Sequence, residues 1–176
     1  MERSELAGRI YDVSHLEGKF QLRSGQISNE YFDKYLFESD SELLRAIAVQ
    51  LSAMIPDETE VLAGLEMGGI PIAAALSMQT GIPAVFVRKQ AKEYGTCKLA
   101  EGIDVDGKRV CIIEDVVTTG GQIVLSANDL RQLGADIKCV VAVILRDTRG
   151  RENLAKEGLQ LFPLFTMEEL KASRIP

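Results

Sequence analysis

Two hydrophobic rhythms alternate along the chain. Leu6, Ile10 and Val13 fall at helical spacing and predict a first helix over 4–16. Phe20 and Leu22 alternate as in a strand, Ser24-Gly25 marks a turn, and the aromatic-rich stretch 31–37 predicts a second strand that closes a hairpin. Asp40 or Ser41 can cap a helix with the stripe Leu43, Leu44, Ile47, Leu51 and Met54, stopped by Pro56. Apolar runs at 61–65, 82–87, 110–113 and 137–145 read as strands; the run at 110–113 is too short and too β-branched for a helix, and 137–145 is Val-rich. Helices separate them: Ile70-Pro71 opens one, with proline in its first turn, and Ile123, Leu125, Ala127, Leu130 and Leu133 mark another, closed by Gly134. A short helix over 152–157, a strand over 159–165 and a terminal helix opening with Thr166-Met167-Glu168-Glu169 complete the chain. Pro163 assigns that last strand to a sheet edge. This order predicts an α/β fold, a parallel sheet flanked by helices with a small N-terminal hood. Without linker, repeat or low-complexity segment, residues 1–176 are expected to form a single domain, the hood being mainly 1–38 plus C-terminal residues.

Composition narrows the class. Hydrophobic residues make up 46% and charged residues 26%, which fits a soluble globular protein. No apolar run is long enough to cross a membrane, and Met1-Glu2-Arg3-Ser4-Glu5 is not a secretory signal. Cys97, Cys111 and Cys139 have neither metal-site spacing nor the look of a disulfide framework, so a reducing cytoplasmic setting is expected, with Cys111 and Cys139 as core thiols. His15, the one histidine, stands at the end of the first helix and is assigned no role. The net charge of −6 argues against a nucleic-acid partner. An anionic substrate would then need a local basic cluster.

The densest chemistry follows the run at 110–113. Glu114 and Asp115 stand where that strand should end, and Val116, Val117, Thr118, Thr119, Gly120, Gly121 and Gln122 lead into the next helix. Strand, acid pair, glycine-rich turn and helix make a ligand site at the carboxyl edge of a parallel sheet. The turn can present several backbone N–H groups at the positive end of a helix, which suits a phosphate. The acids repel that phosphate and suit hydroxyls or a cation. Together they ask for a sugar phosphate. A nucleotide P-loop is excluded, because no Lys-Ser or Lys-Thr follows the second glycine.

Three other stretches carry candidate chemistry. Glu66-Met67-Gly68-Gly69 forms a second strand–turn–helix unit, which can cradle another anion or can be a plain packing turn. Arg88, Lys89, Lys92 and Lys98 put four cations into eleven residues, straight after a strand end. That crowding favours an anion site over a solvated hairpin, and the stretch up to Lys108 is long enough to serve as a mobile lid. Arg146 ends a strand, where it can fork onto a substrate carboxylate or simply pair with Asp147 or Asp136.

The stretch 110–122 closely resembles the phosphoribosyl-pyrophosphate (PRPP) motif of the phosphoribosyltransferases. The pattern Phe20-x-Leu22-x-Ser24-Gly25-x-x-Ser28, with Tyr31-Phe32 after it, and Arg88-Lys89-x-x-Lys92-x-Tyr94-Gly95 resemble two segments of the orotate phosphoribosyltransferases. The resemblance spans essentially the whole chain. It implies the phosphoribosyltransferase fold and Mg²⁺-dependent transfer of ribose 5-phosphate from PRPP to orotate, within pyrimidine biosynthesis. By residue, it implies PRPP contacts from Arg88, Lys89, Lys92, Tyr94 and 114–122, with Lys92 and Asp115 catalytic. It implies a pyrophosphate loop at Glu66, Met67, Gly68 and Gly69, and orotate contacts from Thr118, Arg146, Arg23 and Phe32. No protein-bound metal ligand is implied. A homodimer that exchanges the cationic loop is expected, without nucleic acid or membrane. This chain departs from the family in five places: Arg23 stands for a common Lys, Glu66-Met67 where several members place a Lys, Tyr94 for a frequent His, Gly95-Thr96-Cys97-Lys98 for a frequent Gly-Glu-Gly-Gly, and Leu145 for the usual Asp. The alternatives are a transferase of the same fold acting on a purine or another base, and a PRPP-sensing regulator. The hood pattern with Arg146 argues against the first, and the retained cations in an acidic chain argue against the second.

Overall fold

The computed structural model describes residues 1–22, 24–90 and 98–173. Its centre is a six-stranded sheet in the order β5-β4-β3-β6-β7-β8. The strands are β3 (Val61–Leu65), β4 (Ala84–Val87), β5 (Ala100–Glu101), β6 (Arg109–Val117), β7 (Asp136–Leu145) and β8 (Gln160–Thr166). All neighbours pair in parallel except β4 and the two-residue β5. β3 is buried along its whole length, and so is β7 from Cys139 onward, because both faces of the sheet are covered. On one face, α1 (Arg3–Ser14), α3 (Ser41–Ser52) and α4 (Gly69–Thr80) bring Leu6, Ile10, Leu43, Ile47, Ile72 and Leu76 onto Leu62, Ile113 and Val141. On the other face, α5 (Gly121–Gln132) and α6 (Arg149–Lys156) bring Ile123, Leu130 and Leu154 onto Ala63, Ile112 and Val140.

The chain order creates a switch point. From β3 the chain crosses through α4 to β4 on one side. From β6 it crosses through α5 to β7, and then through α6 to β8, on the other. The carboxyl ends of β3 and β6 therefore lie side by side, with connections diverging from them, and a crevice opens there.

β1 (His15–Gln21) and β2 (Ile27–Phe32) form the separate two-stranded hood. The first helix is shorter than its stripe suggests, since His15 already begins β1. The expected strand over 31–37 is corrected more substantially. β2 stops at Phe32, and Lys34–Ser39 forms the helix α2, capped by the Asp33 carboxylate accepting from the Tyr35 N–H at 3.1 Å. The aromatic residues suggested a strand, but Phe37 is wholly buried in the core beside Leu6 and Leu43. Burying such a ring contributes about 2–3 kcal/mol, and a helical turn lets the chain deliver it inward while Tyr35 and Leu36 stay exposed. β6 also runs further than expected, through both acids to Val117. The terminal α7 (Met167–Ala172) carries the expected capping box, with Thr166 and Glu169 exchanging bonds of 2.7 and 3.1 Å. Arg3 ties this end to α1 by pairing with Glu169 at 2.9 Å.

Candidate active site

Four segments meet at the switch point. The 66–69 turn leaves β3, and Glu114 and Asp115 lie near the end of β6, three and two residues before Val117. The 118–121 turn opens α5, and Arg88 follows β4. The structure thus brings together the two predicted anion loops, the acid pair and the first of the cations. Arg23, Lys92 and Tyr94 lie outside the described residues.

The 118–121 turn is built by backbone geometry. Gly120 is left-handed at φ 78° and caps α5, a conformation that glycine adopts without steric cost. Thr118 and Thr119 are exposed, so the turn's face is open to a ligand. Two braces hold it from behind, and sequence reading missed both. Asn153 Nδ2 donates to the Thr119 carbonyl at 3.0 Å, and Gly150 packs so closely that a Cβ there would collide with the Thr118 carbonyl. Both come from α6, about thirty residues away in sequence, and no local pattern announces them.

The 66–69 turn needs its glycines for tertiary reasons. A Cβ on Gly69 would strike the Ile113 carbonyl, and one on Gly68 would overlap Asp115 Oδ2. The turn therefore lies directly on the end of β6. Its peptide bond Glu66–Met67 is cis. Glu66 Oε2 accepts the Lys89 N–H at 3.1 Å, which ties the turn to the start of the cationic segment. Met67 is exposed. Arg88 pairs with Glu101 of β5 at 3.3 Å.

The acid pair is not symmetric. Glu114 is half-buried and Asp115 is 1% exposed. Asp115 Oδ1 accepts the Val116 N–H, and Lys34 Nζ, from α2, lies on Asp115 Oδ2. Glu38, one turn further along α2, is 6% exposed and turns its carboxyl to the same place. Burial, then contact with Asp115, pushes the Glu38 carboxyl up to about 9, so it is a neutral acid at pH 7. Burial also acts to raise Asp115, but hydrogen bonds from Glu114, Glu38 and Lys34, with the Lys34 charge, hold it below the usual carboxylate value. Burial and the charge of Asp115 push Glu114 up.

Glu38 has a consequence for stability. Its proton binds more tightly in the folded chain than in the unfolded one. Its contribution is therefore complete below pH 4.5 and is lost as pH rises toward about 9. Glu38→Gln keeps the shape and a donor but has nothing to ionise. Its melting temperature at pH 8 is expected to exceed that of the parent by ~5 °C, and the gap should close as pH falls to 4.5. A gap that stays constant across that range in thermal melts would show that Glu38 is already ionised.

Arg146 follows β7. Its backbone N–H donates to the Val117 carbonyl at 2.8 Å, and its guanidinium lies over the Phe32 ring, 5.6 Å from the centroid. Asp147 does not take it, since Asp147 pairs with Arg149, and Asp136 pairs with Lys138. Arg146 and Phe32 line a cavity of about 360 Å³ under the hood, together with Tyr11, Leu22, Tyr31 and Lys171. Aromatic faces with a guanidinium at one edge can take a flat anionic ring, and the Glu30 carboxylate, paired with His15 at 3.0 Å, is also on the wall. Among the described residues no group of three or more His, Cys, Asp or Glu side chains gathers as a metal site. None of the described helices is long and apolar enough to cross a membrane.

Comparison with known proteins bears on this geometry. Residues 40–164 match the family model of the phosphoribosyl transferase domain. An orotate phosphoribosyltransferase of Nocardioides sp. (strain ATCC BAA-499 / JS614) is 53% identical over 169 residues, covering 96% of this chain and 94% of that protein. The crystal structure of Mycobacterium tuberculosis H37Rv orotate phosphoribosyltransferase with Fe(III) dicitrate superposes with a TM-score of 0.86 at 29% identity, covering 96% of this chain and 98% of that one. The same enzyme in complex with PRPP superposes with a TM-score of 0.82 at 27% identity over the same shares.

Proposed function

The chain belongs to the orotate phosphoribosyltransferases, within the wider phosphoribosyl transferase domain family, and from that premise we propose that it transfers ribose 5-phosphate from PRPP to orotate, yielding orotidine 5′-phosphate and pyrophosphate for pyrimidine biosynthesis. The observation that carries this reading is the meeting of two backbone anion loops and an acid pair at one switch point, beside a hood cavity edged by Arg146.

The roles follow from charge. When the anomeric C–O bond breaks, its electron pair leaves with the diphosphate and positive charge builds on the ribose ring; the orotate ring nitrogen then bonds to that carbon and gives up its N–H proton to the departing diphosphate. Thr118 to Gln122 hold the 5′-phosphate through backbone N–H groups, as at any helix start. Glu114 receives the ribose hydroxyls, and the charge of Asp115, buried under Lys34, faces the developing cation, an electrostatic stabilisation that needs no covalent nucleophile. Arg88, Lys89 and Lys92 take up the charge of the leaving diphosphate, with Tyr94 hydrogen bonding to it and the turn from Glu66 to Gly69 cradling it. Mg²⁺ arrives on the diphosphate as part of the substrate and offsets its charge. Arg146, Arg23, Phe32 and Thr118 hold orotate. The working form is a homodimer in the cytoplasm, the lysine-bearing segment of one subunit serving the other's site, without nucleic acid or membrane.

The test is an absorbance assay of base consumption with PRPP and Mg²⁺, run on orotate, uracil, adenine and hypoxanthine. Orotate should be consumed and the others left. Arg146→Ala should raise the orotate KM by about 10- to 100-fold, the worth of a forked charge-assisted contact, with the PRPP KM nearly unchanged. Turnover of a purine in place of orotate would overturn the reading.

A further inference from the structure

We propose that Lys34 is a substrate-binding cation of this site: reaching over Asp115 from α2, it meets the diphosphate of PRPP beside the 66–69 turn. The inference rests on the reading of the switch point as a PRPP site, and it concerns a residue outside the motifs from which that site was read.

Three observations converge. The turn carries Glu66-Met67-Gly68-Gly69 and no cation of its own. The point where a Gly68 Cβ would sit overlaps Asp115 Oδ2 and lies 2.7 Å from Glu38 Oε1. Lys34 Nζ is on that same Asp115 oxygen, and the Lys34 side chain is 33% exposed while Asp115 beneath it is 1% exposed. The ammonium therefore lies at the mouth of the crevice, with the acid behind it. It has three donors, and a contact with Asp115 uses one of them.

The neighbouring Glu38 sets how tightly Lys34 is held. Glu38 Oε1 is buried beside Asp115 Oδ2. Two carboxyl groups share a dry contact when a proton lies between them, so Glu38 is present as the acid. The charges acting on Glu38 are those of Asp115, Lys34 and Asp33, the last from the cap of α2. The carboxylates acting on Lys34 are Asp115 and Glu114; Glu38, being neutral, adds no further charge, which leaves the ammonium available to an arriving diphosphate. Burial works to lower the Lys34 pKa, but Asp115 outweighs it and keeps the ammonium charged.

The test separates the two ends of PRPP. Binding of PRPP, of Mg²⁺-pyrophosphate and of ribose 5-phosphate is measured by calorimetry for the parent, Lys34→Met and Lys34→Arg, with thermal melts to confirm folding. Lys34→Met should weaken pyrophosphate and PRPP by about 10- to 100-fold and leave ribose 5-phosphate within about twofold. Lys34→Arg should restore most of the loss. Equal weakening of pyrophosphate and ribose 5-phosphate would reduce Lys34 to a prop for Asp115 and overturn the proposal, as would unchanged pyrophosphate binding. If the parent binds PRPP but leaves orotate untouched, the assigned reaction falls while Lys34 stands. If the parent binds neither PRPP nor pyrophosphate, both fall.

Discussion

Replacing Lys92 by alanine is expected to lower kcat by about 100- to 1000-fold in a chain that still folds. The reaction moves a bonding pair onto a diphosphate that is already multiply charged. Stabilisation aimed at charge that appears during bond breaking acts on the rate more than on the binding of PRPP, so the KM for PRPP should change far less than kcat. Lys92→Arg should recover part of the loss, since it keeps the charge but spreads it over a planar fork. If the enzyme is a dimer with shared sites, mixing Lys92→Ala subunits with subunits disabled at Asp115 should regenerate activity that neither has alone. Steady-state assays with orotate and PRPP decide the first point, and unchanged turnover would remove Lys92 from catalysis.

The second large effect is expected at Gly68. Its substitution by alanine would push a methyl group onto Asp115 Oδ2, against the contact with Lys34 and near Glu38 Oε1. Strand β6 cannot retreat, because Ile112 and Ile113 before the acids are wholly buried between two layers of helix. The turn itself must move, and it carries the backbone cradle with it. Overpacking of this kind costs about 1–3 kcal/mol of stability, and kcat/KM for PRPP should fall by about 100-fold, as for a site displaced by about an ångström. Paired thermal melts and PRPP titrations would show both losses together. A Gly68→Ala chain with parental affinity would mean that the turn and the acid pair are not in register as described.

The two predictions differ in where they were legible. Lys92 stands out in the sequence because four cations crowd eleven residues behind a strand in an acidic chain. Gly68 was readable as a turn residue, but its closeness to Asp115 joins residues 47 positions apart and appears once β3 and β6 pair in register. The same holds for Asn153 and Gly150, which brace the 118–121 turn from a helix beyond the next strand. The stretch 31–37 was misread because aromatic residues favour strands in general. What decided its end was Phe37, whose burial outweighed local preference, with Asp33 supplying the helix cap.

Local chemistry, then, was available from the chain alone. Short apolar runs separated by helical stripes dictate a parallel sheet, and an acid pair before a Thr/Gly turn marks a candidate sugar-phosphate edge, because these are properties of neighbours in sequence. What folding added is the electrostatic state of that edge. Asp115 lies under Lys34 and against a protonated Glu38 because α2 packs across the end of β6. Burial and charge are set by what surrounds a group in space, and no spacing of letters along the chain encodes them.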